Sequence, residues 1–376
     1  MRFMNWKNYL VVFIMAPLLS FSQNRLRDYG IEIGALHPGP LNGITDVPGI
    51  LVGHTTLIQG DSIRTGVTAI LPYDGNIFQQ KVPAAIYIGN GFGKLAGYTQ
   101  VRELGNLETP IVLTNTLSVA TAVNAVVEYT LNFSGNENVR SVNAVVGETN
   151  DGHLNDIRGM HVSEKDVLKA IQSAKSGPVT EGNVGAGTGT ICFGFKGGIG
   201  TSSRILPKKS GGYTVGVLVQ TNFGGMIKVA GVDVGKQLGH YSDNFKYAVD
   251  GSCMMVVMTD APLDSRNLER LAKRAMLGLA RTGGIASNGS GDYVIAASTA
   301  DACRIPYESD KPIQTVPSLR NEAMTPLFLA TIEATEEAIL NSLFAAETMV
   351  GRGGHTIEAL PKKKVLELLK AAGKVD

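Results

Sequence analysis

Glycine sets the first limit on what this chain can fold into. Forty-five of its 376 residues are glycine, and they crowd most densely between Glu181 and Arg204 (EGNVGAGTGTICFGFKGGIGTSSR). A residue with no side chain allows tight turns and close approach of backbones, and it weakens a helix interior by about 0.5–1 kcal/mol relative to alanine. The pattern suits an enzyme with compact loops better than a helical bundle. The chain is 44% hydrophobic, enough to bury a large core, and its length suits one large domain or two ordinary ones. With 18% charged residues, a formal net charge of +1 and no lysine/arginine block, it has no field to attract nucleic acid.

The N-terminus reads as a targeting segment. Arg2 and Lys7 give a positive start, and Tyr9 to Phe21 (YLVVFIMAPLLSF) is apolar. That run is shorter than the roughly 20 residues a spanning helix needs. Ser20-Phe21-Ser22 places small residues where a signal peptidase reads. The expectation is a signal peptide over residues 1–22, cut near Gln23. An uncleaved anchor is the alternative, and Pro17 and the short run argue against it. No other segment reads as membrane-spanning, so the mature chain is expected in the periplasm or secreted. Cys192, Cys253 and Cys303 match no zinc or redox spacing and are expected as buried free thiols. The six histidines show no helical His-x-x-x-His pair, and no metal site or cofactor is expected.

Residues 24–45 are polar and irregular and are expected to wrap the surface. Short apolar runs between turn residues predict strands within Gly49–Tyr73, at Ala84–Ile88, Val142–Val146, Tyr213–Thr221, Cys253–Met258 and Tyr293–Ala297. Ile111–Leu131 reads as a strand followed by a helix, and Glu164–Ser173 as a short helix. Gly235–Gly251 looks like an exposed linker. Asp264–Leu279 carries helix signals: Asp264 or Ser265 to cap it, one apolar face, and Gly283-Gly284 to stop it. Thr325–Met349 is a long helix with an apolar face through Leu329, Ile332, Ile339 and Phe344, and Leu366–Ala372 a short one. No repeat or low-complexity linker divides the chain, so residues 23–376 read as a single α/β domain.

Four local patterns can carry chemistry. Asp250-Gly251-Ser252 lies between the linker and the uncharged run CMMVVM. A serine there can attack the carbonyl of the preceding residue, where glycine offers no hindrance. The α-amine that such a cut exposes, with a reference pKa of about 7.7–8.0, can act as a general base. Alone, however, Asp-Gly-Ser is an ordinary turn. In Asn288-Gly289-Ser290-Gly291-Asp292, Ser290 and Asp292 project to one side of an extended chain and can orient a nucleophile and relay its proton; on this segment alone a glycine turn with a solvated aspartate is the favoured reading. Asn222, in Gln220-Thr221-Asn222-Phe223-Gly224-Gly225, can donate to an oxyanion or simply make a turn. Gly147-Glu148-Thr149-Asn150-Asp151-Gly152-His153-Leu154-Asn155-Asp156 brings three carboxylates together. They can hold a cationic amino terminus, or form a solvated loop or a calcium loop, although the EF-hand spacing is absent. Gly89–Lys94 and Gly185–Thr190 fall short of the P-loop and dinucleotide fingerprints.

Together, in this order, these segments resemble one family: the self-processing serine aminopeptidases that include the L-aminopeptidase/D-esterases and the β-aminopeptidases. The resemblance runs from Gly43-Ile44-Thr45-Asp46-Val47-Pro48-Gly49 to Gly351-Arg352-Gly353-Gly354. It is most specific at Thr114-Asn115-Thr116-Leu117-Ser118, Glu148–Gly159, Glu181–Arg204 and Gly251-Ser252. It implies a four-layer α/β/β/α sandwich similar to the N-terminal-nucleophile hydrolases. It also implies self-cleavage into a larger chain, 23–251, and a smaller one, 252–376. By the same resemblance Ser252 is the nucleophile, Ser290 and Asp292 are its supporting serine and acid, Asn222 is the oxyanion-hole amide, and Glu148 faces the substrate amino group. The family further implies a tetramer of processed heterodimers acting on small peptides or amides. Two positions depart from it. Some members carry glutamate at Asp292, and some carry a tyrosine near the oxyanion where Asn150 aligns. Two other readings remain at this stage. One is an acyltransferase like the ornithine acetyltransferases, against which the serine at 252 and the signal segment argue. The other is a binding protein that kept the fold without the cleavage.

Overall fold

The structure, a computed structural model, describes residues 25–239 and 251–375. The signal segment expected over 1–22 and most of the linker expected over 235–251 lie outside the described residues.

The short apolar runs of the first half become strands. β1 (Leu51–Gln59) and β2 (Ile63–Leu71) form an antiparallel hairpin, and β3 (Gln80–Gly91) and the two-residue β4 (Leu95–Ala96) follow. After α1 (Tyr98–Leu104) and β5 (Asn106–Leu107) comes the strand-then-helix unit of β6 (Ile111–Asn115) and α2 (Val119–Leu131). At its junction Asn115 Oδ1 accepts from the Leu117 and Ser118 N–H groups, both at 3.1 Å, satisfying donors left open at the start of the helical turn. β7 (Val145–Thr149) begins later than the sequence predicts and runs to Thr149, because it pairs in parallel with β6 from Ile111↔Val145 to Asn115↔Thr149. Asn143 leaves the ladder and donates its N–H to Glu108 instead, at 2.8 Å. α3 (Glu164–Gln172) closes this half.

The second half opens with a tight hairpin of β8 (Ile191–Cys192) and β9 (Phe195–Lys196). β10 (Ile199–Ile205), β11 (Thr214–Asn222) and a short α4 (Val234–Gln237) follow. β12 (Ser252–Thr259) leads to α5 (Ser265–Arg281), whose cap is Asp264, accepting from Asn267 N–H at 2.7 Å. β13 (Gly291–Ser298), β14 (Ile305–Pro306), α6 (Thr325–Ala345), the hairpin β15 (Met349–Val350) and β16 (Thr356–Ile357), and α7 (Lys362–Ala371) complete the order.

The strands make two main sheets, ordered β1-β2-β6-β7-β4 and β10-β11-β12-β13-β3-β14, with β5 also on β3. The sheets face each other, with α2 and α3 outside the first and α5 and α6 outside the second. This is the expected α/β/β/α sandwich. β12 explains the arrangement. Its Met254, Val256 and Met258 enter the core between the sheets with Val67 and Val146, while Cys253, Met255 and Val257 enter the core against α5 and α6 with Leu271 and Ala334. A strand buried on both faces needs a continuous apolar run rather than an alternating one.

Two expectations change. The segment from residue 24 to 45 does not merely wrap the surface: Leu26, Ile31 and Ile33 are buried, and charges tie it to α6. Arg204, fully buried, contacts Glu337 at 2.7 Å and Glu333 at 3.3 Å; Arg27 meets the same Glu337 at 2.7 Å. Its polar residues are therefore partners of buried charges, which composition alone cannot reveal. α6, for its part, ends at Ala345, and Leu329 is 37% exposed rather than part of an apolar face. The helix packs on β10 and β11 of the second sheet, has α5 beside it and the N-terminal segment against it, so it is buried over most of its circumference and has no single stripe. Among the described residues no helix is long and apolar enough to cross a membrane. Replacing Glu337 by alanine should leave the buried Arg204 with Glu333 as its remaining carboxylate partner and cost about 3 kcal/mol. A lowered urea midpoint with unchanged slope would register that loss.

Candidate active site

Three strand ends meet at one edge of the second sheet. Ser252, the first residue of β12, lies opposite Asn222, the last of β11, and beside Gly291, the first of β13. The Gly291 N–H donates to the Gly251 carbonyl at 3.1 Å and reaches Ser252 Oγ at 3.2 Å. One donor therefore holds the serine hydroxyl and the carbonyl before it. Gly251 is demanded by packing: a Cβ there would run into the Asn222 carbonyl oxygen and Phe223 Cα.

Asn222 Oδ1 accepts from the Ile191 N–H at 2.9 Å, which leaves the Nδ2 end of the amide as its donor. Glu148, near the end of β7, is 2% exposed. One of its oxygens accepts from the Lys94 N–H at 2.9 Å and the other from the Thr116 hydroxyl, so the carboxylate is held in place. Ser252, Asn222, Glu148 and Asn150 line one cavity of about 630 Å³. Its apolar wall contains Phe193 and Phe223, packed edge-to-face with centroids 5.0 Å apart. Asn150, where some family members have tyrosine, is exposed, and its Oδ1 accepts from Gly152 N–H at 2.9 Å.

Ser290 and Asp292 are not in the cavity wall. Both are buried behind it, Ser290 at 1% and Asp292 at 0% exposure. Asp292 pairs in register with Cys253, whose side chain faces the helices. Burial pushes the Asp292 carboxyl up to about 6, while the Ser290 hydroxyl and the Cys253 N–H pull it back. Neither Ser290 Oγ nor either Asp292 oxygen completes a hydrogen bond of good geometry in the uncut chain.

The acidic cluster disperses. Asp151 turns inward, accepts from Asn155 at 2.9 Å, and is pushed up to about 6 by burial. Asp156 faces His161 at 3.1 Å. Of the three carboxylates only Glu148 reaches the cavity, because the chain leaves the strand after Thr149 and its turns send each acid to a different neighbour. His153 lines the cavity and stacks on His355, 202 residues away, with centroids 4.5 Å apart. The three cysteines are free and buried. Phe92 and Lys94, in the first of the glycine stretches considered for nucleotides, belong to this cavity too.

Thr116 stands inside a motif that gives it no task by itself, and nothing in the sequence singles out Phe193. It turns the β8–β9 hairpin at φ +54°, a conformation costly for a residue with a side chain, and only the glycine after it hinted at a turn.

An α/β/β/α sandwich with its strand ends meeting at one cavity is the architecture of hydrolases built on an N-terminal-nucleophile type of fold. The chain belongs to peptidase family S58, whose model matches residues 42–357. It is 41% identical to the beta-peptidyl aminopeptidase BapA of Sphingosinicella microcystinivorans over 397 aligned positions, covering 98% of each chain. Among solved structures it is similar to a Burkholderia sp. beta-aminopeptidase, with TM-score 0.86 and 43% identity, covering 93% of this chain and 99% of that one. It is likewise similar to the L-aminopeptidase D-Ala-esterase/amidase of Ochrobactrum anthropi, with TM-score 0.86 and 36% identity over 94% of this chain and 100% of that one. That protein is described as a prototype for the serine aminopeptidases and a new variant among the Ntn hydrolase fold. The present chain is therefore a hydrolase of the aminopeptidase type, and self-processing is typical of its family. Asp292 in the uncut chain loses its proton through about pH 6, so the rate at which the intact chain cuts itself should rise across that range, and an Asp292→Asn variant should lack that rise when fragment formation is followed on a gel.

Proposed function

We propose that this chain is an exported serine aminopeptidase that cuts itself before residue 252 and then removes N-terminal residues from short peptides, amides or esters. The observation that carries the proposal is the shared donor: the Gly291 N–H touches both Ser252 Oγ and the Gly251 carbonyl. A hydroxyl beside a carbonyl polarised in this way is set up for attack. Ser252 Oγ adds to the Gly251 carbonyl carbon, the Gly251–Ser252 amide bond breaks, and the hydroxyl proton passes to the departing nitrogen. Water then hydrolyses the ester, leaving residues 23–251 and 252–376 as separate chains that stay together.

The new α-amine of Ser252 becomes the general base. Ser290 and Asp292, buried with unfilled hydrogen-bonding capacity behind the strand end, fit a partner that brings fresh N–H donors, and that amine is one. In turnover the amine takes the proton from Ser252 Oγ, which attacks the substrate carbonyl; the scissile bond breaks, the Ser252 amine passes that proton to the departing amine or alcohol, and an acyl-enzyme remains. Asn222 Nδ2 donates to the oxyanion, and Glu148 receives the substrate ammonium group. Water releases the acid. The names of its relatives favour β-amino acid residues at the substrate N-terminus. A signal peptide over 1–22, a periplasmic or secreted location and a tetramer of processed heterodimers complete the proposal. Sedimentation of the processed protein tests the tetramer.

Mass spectrometry of the purified protein should give two fragments, the smaller beginning at Ser252. The Ser252→Ala variant should stay one chain and be inactive; an active, uncut variant overturns the reading. Asn222→Ala should lower kcat by about 10²–10³. Glu148→Gln should act mainly by raising KM for substrates with a free amino group. A panel of aminoacyl-nitroanilides that includes β-alanyl ones reads both, together with the preferred substrate class.

A further inference from the structure

Lys196, one of the largest fully buried side chains, is a charged group to which the mechanism gives no task. It is 0% exposed, and its three N–H donors all go to backbone carbonyls: Gly187 at 3.0 Å, Thr190 at 2.9 Å and Gly197 at 2.8 Å. An ammonium group has three donors and no acceptor, so the three carbonyls match its charged form one for one. Burial pulls its pKa down to about 7, against the pull of Cys192 and Asp151 in the opposite direction. Desolvating such a charge costs several kcal/mol, and an apolar side chain would fill the same space without that cost.

The Thr190 carbonyl and the Ile191 N–H are the two ends of one planar peptide unit. Lys196 Nζ holds the oxygen of that unit, and Asn222 Oδ1 accepts from its N–H at 2.9 Å. The same loop is cross-braced: Thr190 Oγ1 donates to the Gly187 carbonyl and the Gly197 N–H to the Thr190 carbonyl, both at 3.1 Å. A hydrogen-bonded line therefore runs from the buried ammonium group, through the 190–191 peptide, to the Asn222 amide in the cavity wall. Each donor in such a chain polarises the next.

We infer that Lys196 is a positioning residue that orients and polarises the Asn222 amide through the 190–191 peptide, so that Asn222 Nδ2 is the stronger donor to the cavity. The inference rests on the oxyanion role proposed for Asn222. It assigns Lys196 an effect on the chemical step with little effect on substrate binding.

A double-mutant cycle tests it, using Lys196→Met, Asn222→Ala and the two combined in the full-length protein. Rates with an aminoacyl-nitroanilide are expressed per processed chain, with the processed fraction read from a denaturing gel. Should Asn222→Ala process too slowly for turnover to be read, the cycle is run on the slow processing rate itself, followed on the same gel. Lys196→Met is expected to lower kcat about tenfold with KM nearly unchanged, and to lower it little once Asn222 is alanine. If Lys196→Met does not accumulate as folded protein, Lys196→Gln, which keeps two N–H donors, takes its place in the same cycle. An equal penalty in both backgrounds, or an effect on KM alone, overturns the inference. If Asn222→Ala by itself leaves kcat unchanged, the oxyanion role fails instead.

Discussion

The burial of β12 on both faces is the constraint from which the site follows. A strand between two cores cannot shift along its neighbours without moving a methionine or valine out of each core at once. Its register with β11 and β13 is thereby locked, and the register is what sets Ser252 against Asn222 and beside Gly291. Ser252 sits where the strand begins, so its backbone is fixed by pairing to strands on both sides. Packing at Gly251 adds to the same constraint, since the strand end runs close against the Asn222–Phe223 backbone.

Buried charge is the second theme, in a chain with few charges to spare. Arg204 with Glu333 and Glu337 locks the N-terminal segment onto α6. Lys196 gathers a glycine-rich loop by its carbonyls. Asp292 sits behind Ser252 with its carboxyl raised by burial. Each is costly in isolation, and the first two are found where backbone groups or oppositely charged partners must be held in one arrangement. Dense glycine and buried polar groups go together here. Close backbones leave little room for side-chain packing, so hydrogen bonds take over the task of fixing loops.

Much of the fold was legible where the signal is local. The uncharged run at Cys253–Met258 reads as a buried strand. Helix α5 carries its own cap at Asp264 and its own stop after Arg281. Less was legible where burial depends on distant partners. Arg25 and Arg27 look like surface residues until Glu181 and Glu337 are brought to them. Leu329 belongs to an apolar-looking helix but ends on its outer side. At the site, Ser252, Asn222 and Glu148 could be singled out, since each stands in an informative motif. Asp151 and Asp156 were grouped with Glu148 because they are close in the chain, yet turns separate them in space. Phe193, Thr116 and Lys196 gave no usable sign, because their tasks consist of contacts with residues far away in sequence.

What the sequence determined by itself was the menu: which runs are strands, where helices start and stop, and which residues have the chemistry to attack, donate or bind a cation. Periodicity, caps and side-chain chemistry act over a few residues, so they can be read along the chain. The tertiary structure decided which of those residues meet. It set Ser252, Asn222 and Glu148 around one cavity, put Ser290 and Asp292 behind it, and ran a hydrogen-bonded line from Lys196 to Asn222. Those outcomes depend on strand register and on the packing of two sheets and two helical layers, which involve residues from both ends of the chain at once.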